Sequence, residues 1–231
     1  MKHHQSILFL LLLIFSDVYA QKKPATDEYS RQVNIYTQAL SLNDLTIARN
    51  AVYQILALRP TADNWNDTLC MLYFTEGMYR QSILVGEKSF NNNSSNIVVG
   101  EIIAVSYERL GAFKEAIETY QELIKQKDEI RFLYSILTLE YKLKRFGECL
   151  ATAEKIISRP EALTNSVRIT VSDQYYQDVL YAAAVYNILG MVSIELNLKE
   201  QAEKYFQKSM ELAPDFVLPK NNLTQFQPNI K

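Results

Sequence analysis

Residues 186–214, YNILGMVSIELNLKEQAEKYFQKSMELAP, decide the fold of this chain. Small or apolar residues recur at every third or fourth position in both halves of the stretch, which predicts two amphipathic helices. The polar link at 197–199 between the halves predicts a turn. Gly190 and Ala202 carry almost no side chain, so the two helices can cross closely. Pro214 ends the second helix, because its ring cannot continue the backbone hydrogen-bond ladder.

The same stretch carries a spaced set of aromatic, small and proline residues, namely Tyr186, Leu189, Gly190, Ala202, Phe206 and Pro214. This spacing resembles the W-x2-L-G … A-x3-F … P pattern of the tetratricopeptide repeat, a helical hairpin with a period of 34 residues. The one departure is Ser193, where the family usually has tyrosine.

Further copies of the hairpin are expected upstream, because a single unit cannot bury its own apolar face. Gly77 and Gly111 lie 34 residues apart, which is one period of the family. Lys144 stands where a fourth unit should have its glycine, so the boundary of that unit is defined only to within a few residues. Counting backward from the stretch 186–214 predicts five units, at 29–62, 63–96, 97–130, 130–163 and 183–216.

The period breaks between the fourth and fifth units, where about nineteen extra residues are inserted at 162–182. Apolar and polar residues alternate over 167–171, which indicates an extended segment. Ser172-Asp173 then has the composition of a helix start, and apolar residues follow at helical steps from Tyr176. The pattern predicts a loop and an elongated first helix for the fifth unit.

The N-terminal residues 1–20 have the features of a secretory signal peptide. Lys2 supplies a positive start, residues 7–15 form an apolar run, and a small-residue cleavage site ends at Ala20. As a helix the nine apolar residues would span about 14 Å, too short for a bilayer core of roughly 30 Å. We therefore expect cleavage before Gln21 and export to the periplasm or the outside of a bacterial cell.

The segments that flank the repeats have different characters. Residues 21–28 are polar and are predicted to be a flexible lead-in. Residues 217–231 are predicted to hold a short capping helix and a tail, since the end unit of a solenoid needs a cover for its last apolar face.

The composition excludes several kinds of site. The net charge of −2 provides no basic surface for nucleic acid. The only histidines, His3 and His4, lie in the predicted leader, so the mature chain lacks the commonest general base and the commonest zinc ligand. Carboxylate pairs such as Glu115 and Glu118 fit a solvated helix face. We expect no catalytic residue, no cofactor and no metal, and hence no enzyme.

The two cysteines are predicted to be free. Cys70 takes a small-residue position in the second unit and Cys149 one in the fourth, so a whole unit separates them. Disulfide-bonded Cα atoms lie within about 7 Å of each other. Both residues are therefore expected to be small core residues.

The family resemblance implies a right-handed α-solenoid whose first helices line a concave face. In this family such a face binds protein or peptide segments, and mapping its positions onto this chain selects Met71, Phe74, Glu101, Val105, Arg109, Tyr134, Tyr141, Lys142, Asn187 and Met191. The same mapping adds Glu108, Thr138 and Ile194, with Arg131 close to the middle. An extended or helical partner could lay side chains against the aromatic residues while an acidic group meets Arg109 or Lys142.

Three alternatives remain open at this level. The aromatic side chains of the face could serve only to pack neighbouring units. Tyr175, Tyr176 and Tyr181 of the inserted region could form the surface of a structural homodimer. The tyrosines could instead stack on the rings of a carbohydrate or a small ligand. The main prediction is an exported, non-enzymatic scaffold or assembly adaptor.

Overall fold

The computed structural model describes residues 25–59, 65–92 and 96–226, and the leader predicted at 1–20 lies outside them. The described helices are α1 (Ala25–Ser41), α2 (Leu45–Leu58), α3 (Trp65–Thr75), α4 (Tyr79–Asn92), α5 (Ile97–Arg109), α6 (Phe113–Gln126), α7 (Ile130–Lys142), α8 (Phe146–Ile157), α9 (Tyr181–Glu195), α10 (Lys199–Leu212) and α11 (Val217–Phe226). They confirm the predicted class of successive helical hairpins followed by a short C-terminal helix. The chain divides into two compact units, each larger than a single repeat. The first unit ends at Leu72 and the second unit begins at Tyr73.

The first unit is built on the antiparallel pair α1 and α2. Val52 and Ile55 are fully buried on the inner side of α2. The indole of Trp65, at the start of α3, donates a hydrogen bond to the Tyr29 hydroxyl at 3.2 Å. Its ring meets Tyr36 edge-on, with the ring centroids 5.2 Å apart. These contacts fasten the start of α3 to α1.

The lead-in predicted at 21–28 is helical from Ala25 onward, so that part of the prediction is wrong. Asp27 and Glu28 lie in the first turn of α1, where the positive end of the helix dipole favours acidic side chains. Glu28 also accepts a hydrogen bond from Arg31 at 2.7 Å. These local interactions stabilise a helical conformation in the polar segment from Ala25 onward.

Each turn within a helical pair contains one residue in the left-handed region, namely Asn43, Gly77, Gly111, Lys144 and Asn197, with φ between 55° and 75°. The turns at Gly111 and Lys144 share one hydrogen-bond pattern. Gly111 N–H donates to the Glu108 carbonyl at 3.0 Å, and Lys144 N–H donates to the Tyr141 carbonyl at 2.9 Å. Lysine thus makes the turn that glycine makes in the preceding unit.

In the second unit each helix from α4 to α10 packs against the next one along the chain. A large buried cluster lies where α7, α8 and α9 meet and includes Leu137, Cys149, Ala153, Ile156, Val185 and Val192. The Ser209 hydroxyl of α10 donates to the Ala183 carbonyl of α9 at 2.7 Å. Both cysteines are buried and neither forms a disulfide, as predicted. Burial raises the pKa of the Cys149 thiol to about 12.

The inserted region forms a β-hairpin instead of the predicted loop and elongated helix. Strands β1 (Ser166–Ser172) and β2 (Tyr175–Leu180) pair antiparallel, with Val167 opposite Val179. Arg168 and Asp178 form a cross-strand ion pair at 2.9 Å. Helix α9 begins only at Tyr181. The predicted helix was wrong because the alternation seen in β1 continues in β2, where Val179 is buried between exposed or half-buried neighbours.

Candidate protein-binding site

The surface of interest lies on the first helices of the pairs in the second unit. We define the first-helix face as the surface formed by α5, α7, α9 and α11. Helix α9 packs against α7 on one side and against α11 on the other, so three of these helices lie side by side. Helix α11 takes the place that the first helix of a sixth pair would occupy.

An open pocket of about 280 Å³ lies on this face, where α7, α9 and α11 meet. Tyr141 and Met191, both predicted from the sequence, line it together with Ile194. Glu195, Asn222 and Gln225 complete the lining. The pocket therefore combines an aromatic, a thioether and an aliphatic side chain with amide groups on its third side, which suits an apolar side chain attached to a polar main chain.

The charges near the middle of the face compensate one another. Arg131 on α7 donates to Glu101 on α5 and also to Glu129, and its guanidinium lies 4.2 Å from the centre of the Phe132 ring. The hydrogen bond from the Lys127 ammonium holds the pKa of Glu129 below its usual range, and the hydrogen bond from the Arg131 guanidinium lowers it further. The positive charge of Arg131 is thus already satisfied within the chain.

Two of the predicted binding residues make internal packing contacts. Tyr134 meets Tyr181 edge-on, with the ring centroids 5.5 Å apart, and burial raises the pKa of its hydroxyl. Asn187 is only 4% exposed and accepts a hydrogen bond from the Asn222 amide at 3.0 Å. These side chains support the face from within.

The C-terminal ends of α5 and α7 carry positive charge. Arg109 is exposed and has no ion-pair partner among the residues that the structure describes. The Lys142 ammonium lies 5.3 Å from the centre of the Phe113 ring. On α9 the corresponding end carries Glu195, which pairs with Lys144 at 3.0 Å. The edge of the face between α5 and α7 is therefore suited to an acidic group.

The remaining predicted residues are not part of the pocket lining. Met71 belongs to the first unit and is 48% exposed. In the second unit, Phe74 meets Tyr79 edge-on at 5.8 Å, and Val105 is half-buried on α5. Tyr181 is only 7% exposed, so of the three tyrosines considered for a homodimer surface only Tyr175 and Tyr176 lie outside the core.

Three pocket residues were missed by the sequence reasoning, namely Glu195, Asn222 and Gln225. The segment 217–226 was interpreted only as a cover for the last repeat. Continuing the 34-residue repeat register into it would have placed Gln225 at the position of Met191, on the same face. The signal was present in the spacing, although no apolar pattern marked it.

Other features of the second unit fit a structural role. Glu115 and Glu118 lie on an outer groove together with Glu87, which accepts a hydrogen bond from Tyr107. Within the described ranges, no cluster of potential metal ligands is found. In that same part of the chain, no helix combines the length and the apolar character that a membrane crossing requires.

Comparison with known proteins identifies the repeat. A family model described as tetratricopeptide repeat matches residues 102–129 and 183–216. The second match coincides with the fifth unit predicted from spacing. No curated protein matches the sequence.

Solved structures share the fold at low sequence identity. A crystal structure of MamA protein is 15% identical with a TM-score of 0.62, covering 89% of this chain and 99% of its own. YrrB, described as a TPR protein with an unusual peptide-binding site, is 15% identical with a TM-score of 0.62, covering 82% of this chain and 89% of its own. A tetratricopeptide repeat protein from Parabacteroides merdae is 15% identical with a TM-score of 0.65, covering 87% of this chain and 72% of its own.

Proteins built from tetratricopeptide repeats typically act as scaffolds for protein or peptide partners. The two matched units, the regular spacing of the helical turns and the likeness to solved repeat structures show that this chain contains tetratricopeptide repeats.

Proposed function

We propose that this chain is an exported, non-enzymatic scaffold that holds a segment of a protein or peptide partner against the first-helix face. The observation that carries the proposal is the pocket lined by Tyr141, Met191 and Ile194, with α11 as its third side. The peptide-binding site described for YrrB, which shares the fold, supports the class of partner. The signal-like leader supports export.

The chemistry of the pocket suggests how a segment would bind. An apolar side chain of the partner would enter between Tyr141 and Met191, and burying it would provide most of the affinity. The amide groups of Asn222 and Gln225 can both donate and accept hydrogen bonds, as the main chain of an extended segment requires. An acidic group of the partner would lie toward Arg109 and Lys142.

Site-specific photo-crosslinking tests this proposal. A photoreactive phenylalanine analogue at Ile194, inside the pocket, should form a covalent adduct in an extract of the native cells. The same analogue at Lys204, exposed on α10, is the matched control and should form none. A partner that crosslinks from position 204 and not from position 194 would place recognition on the outer helices and contradict the proposal.

The competing assignment to an enzyme is tested in the same experiment. A scaffold retains its partner unchanged, so the mass of the crosslinked segment should equal the sum of probe and partner peptide. A partner released in a covalently altered form would argue for catalysis.

A further inference from the structure

The inserted β-hairpin makes a specific contact with the start of α11. Gln177 of β2 donates from its side-chain amide to the Asp215 carbonyl at 2.6 Å. The oxygen of the same amide accepts from the Val217 N–H at 3.0 Å. One side chain therefore binds the main chain on both sides of Phe216.

The second of these bonds acts as a helix cap. Val217 is the first residue of α11, and the first N–H groups of a helix have no partner within the helix. A cap usually comes from the residue just before the helix. Here the oxygen is supplied by Gln177, forty residues earlier in the chain.

Apolar packing joins the same two elements. Val179 lies two residues after Gln177 and is buried in a cluster with Phe216, Ala183 and Ala184. Val167 and Ile169 of β1 pack against this cluster from the hairpin side, and Leu218 of α11 packs against it as well. The inner face of the hairpin and the start of α11 thus share one small core.

Helix α11 depends on such contacts. It has only ten residues, and isolated helices shorter than about twelve residues are marginal in water. Its far end reaches the pocket, where Asn222 donates to Asn187 and Gln225 lies at the rim. Its position must come from tertiary contacts, and the contacts at its start come from the hairpin.

We propose that the β-hairpin holds α11 against the last repeat, with Gln177 as the positioning residue, so that Asn222 and Gln225 complete the pocket. The importance of the pocket rests on the function proposed above. The positioning itself does not, because it can be measured in the absence of any partner.

The test uses the Gln177→Leu variant of the full chain. Gln174→Leu is the matched control, since Gln174 is exposed in the turn of the same hairpin. Amide hydrogen exchange of residues 217–226 should become roughly tenfold faster in Gln177→Leu, because two hydrogen bonds are lost. The control should exchange like the wild-type chain.

Two further measurements separate positioning from general destabilisation. The methyl resonance of Met191, recorded with methyl-labelled methionine, should shift in Gln177→Leu and stay in place in the control. Gln177→Glu keeps the acceptor for Val217 and loses the donor to Asp215, so exchange in α11 should rise less than in Gln177→Leu. Exchange in α5 should be unchanged in every variant.

Unchanged exchange of 217–226 in Gln177→Leu would overturn the proposal, because the other contacts of α11, made by Phe216, Leu218 and Asn222, would then suffice to hold it. An equal acceleration in α5 and α11 would overturn it too, since the hairpin would then support the whole unit. Failure of crosslinking at Ile194 in the wild-type chain would refute the proposed function and leave this result standing.

Discussion

The ring of Phe206 on α10 lies where a side chain at Gly190 on α9 would begin. A Cβ atom added at Gly190 would come within 2.4 Å of Cε1 of Phe206. Phe206 is fully buried, so its ring has no open space into which to move. The absence of a side chain at Gly190 therefore sets how closely the two helices of the fifth unit cross.

Replacing Gly190 with alanine should lower the free energy of unfolding by about 2 kcal/mol, because the ring or the helix must be displaced. Urea denaturation followed by circular dichroism measures the change. Gly147→Ala is the matched control, since a Cβ atom there meets nothing within 4 Å. That variant should be neutral or up to about 0.5 kcal/mol more stable, because alanine favours a helix. Equal stability of the two variants would contradict the close crossing.

The turns at Gly111 and Lys144 should respond to substitution in opposite directions. Gly111→Ala places a side chain at a φ of 75° and should cost about 1 kcal/mol, although the added methyl group contacts no other atom. Lys144→Gly removes the same strain at a φ of 56° and should stabilise the chain by about 0.5 kcal/mol.

The exposed ion pair between Lys144 and Glu195 could also contribute to stability at this turn, so its effect must be measured separately from that of the backbone strain. Lys144→Ala removes the ion pair while keeping the strained backbone. Since exposed ion pairs contribute little, this variant should match the wild-type chain in thermal unfolding. If it is less stable by as much as Gly111→Ala, the turn at 144 is held by its side chain, and the backbone argument fails.

Glu140 is a buried carboxyl group whose state should make stability depend on pH. It is 6% exposed, and its Oε2 atom has no partner among the described residues. Burial raises its pKa above the ordinary value of 4.5 and outweighs the lowering effect of the Thr152 side chain. The nearby Glu148 carboxylate also raises this pKa, whereas Lys155 and Arg145 lower it.

A raised pKa means that the folded chain holds this proton more tightly than the unfolded chain does. The protonated Glu140 therefore makes its full contribution to the free energy of unfolding below pH 4.5. That contribution is lost as the pH rises through the folded-state pKa. Glu140→Gln removes the charge, so it should raise the free energy of unfolding by about 1 kcal/mol at pH 7. The gain should shrink toward pH 4. Urea denaturation across this pH range would disprove the argument if the gain were the same at every pH.

The first-helix face should lose its partner when its exposed groups are removed together. Replacing Arg109, Tyr141 and Lys142 with alanine should reduce capture of the native partner at least tenfold, because aromatic and arginine side chains carry much of the energy of interfaces. Affinity capture from native extract measures the loss, and far-ultraviolet circular dichroism should show unchanged helicity.

The control for that experiment removes one tyrosine and two lysines elsewhere. Tyr176, Lys114 and Lys204 are all exposed and lie off the face. Their triple alanine variant should capture the partner as well as the wild-type chain does. Equal capture by both triple variants would remove the face from consideration.

Export predicts a defined N-terminus. Expression of the full chain in a bacterium with a general secretory pathway should yield a mature protein that begins at Gln21. Intact mass spectrometry of the periplasmic and culture fractions measures this. A cytoplasmic product that retains Met1 would contradict export.

The sequence by itself determined the repeat, because the residues that define it act locally. Small residues where helices cross and proline where a helix stops have the same effect in every unit. The turn at Lys144 was not visible in this way, since the identity of lysine does not reveal a left-handed backbone. Only the spacing of 33 residues from Gly111 indicated it.

The tertiary structure alone decided the inserted region and the composition of the pocket. Residues 172–183 fit a helix by period, and the choice of strand came from pairing with β1 and from burial of Val179 beside Phe216. Tyr141 and Met191 could be placed on a common face from their repeat positions. The packing of Tyr134 on Tyr181, the burial of Asn187 and the side that α11 contributes depend on neighbours far away in the chain. Local patterns do not encode such contacts, because they form only after the helices have packed.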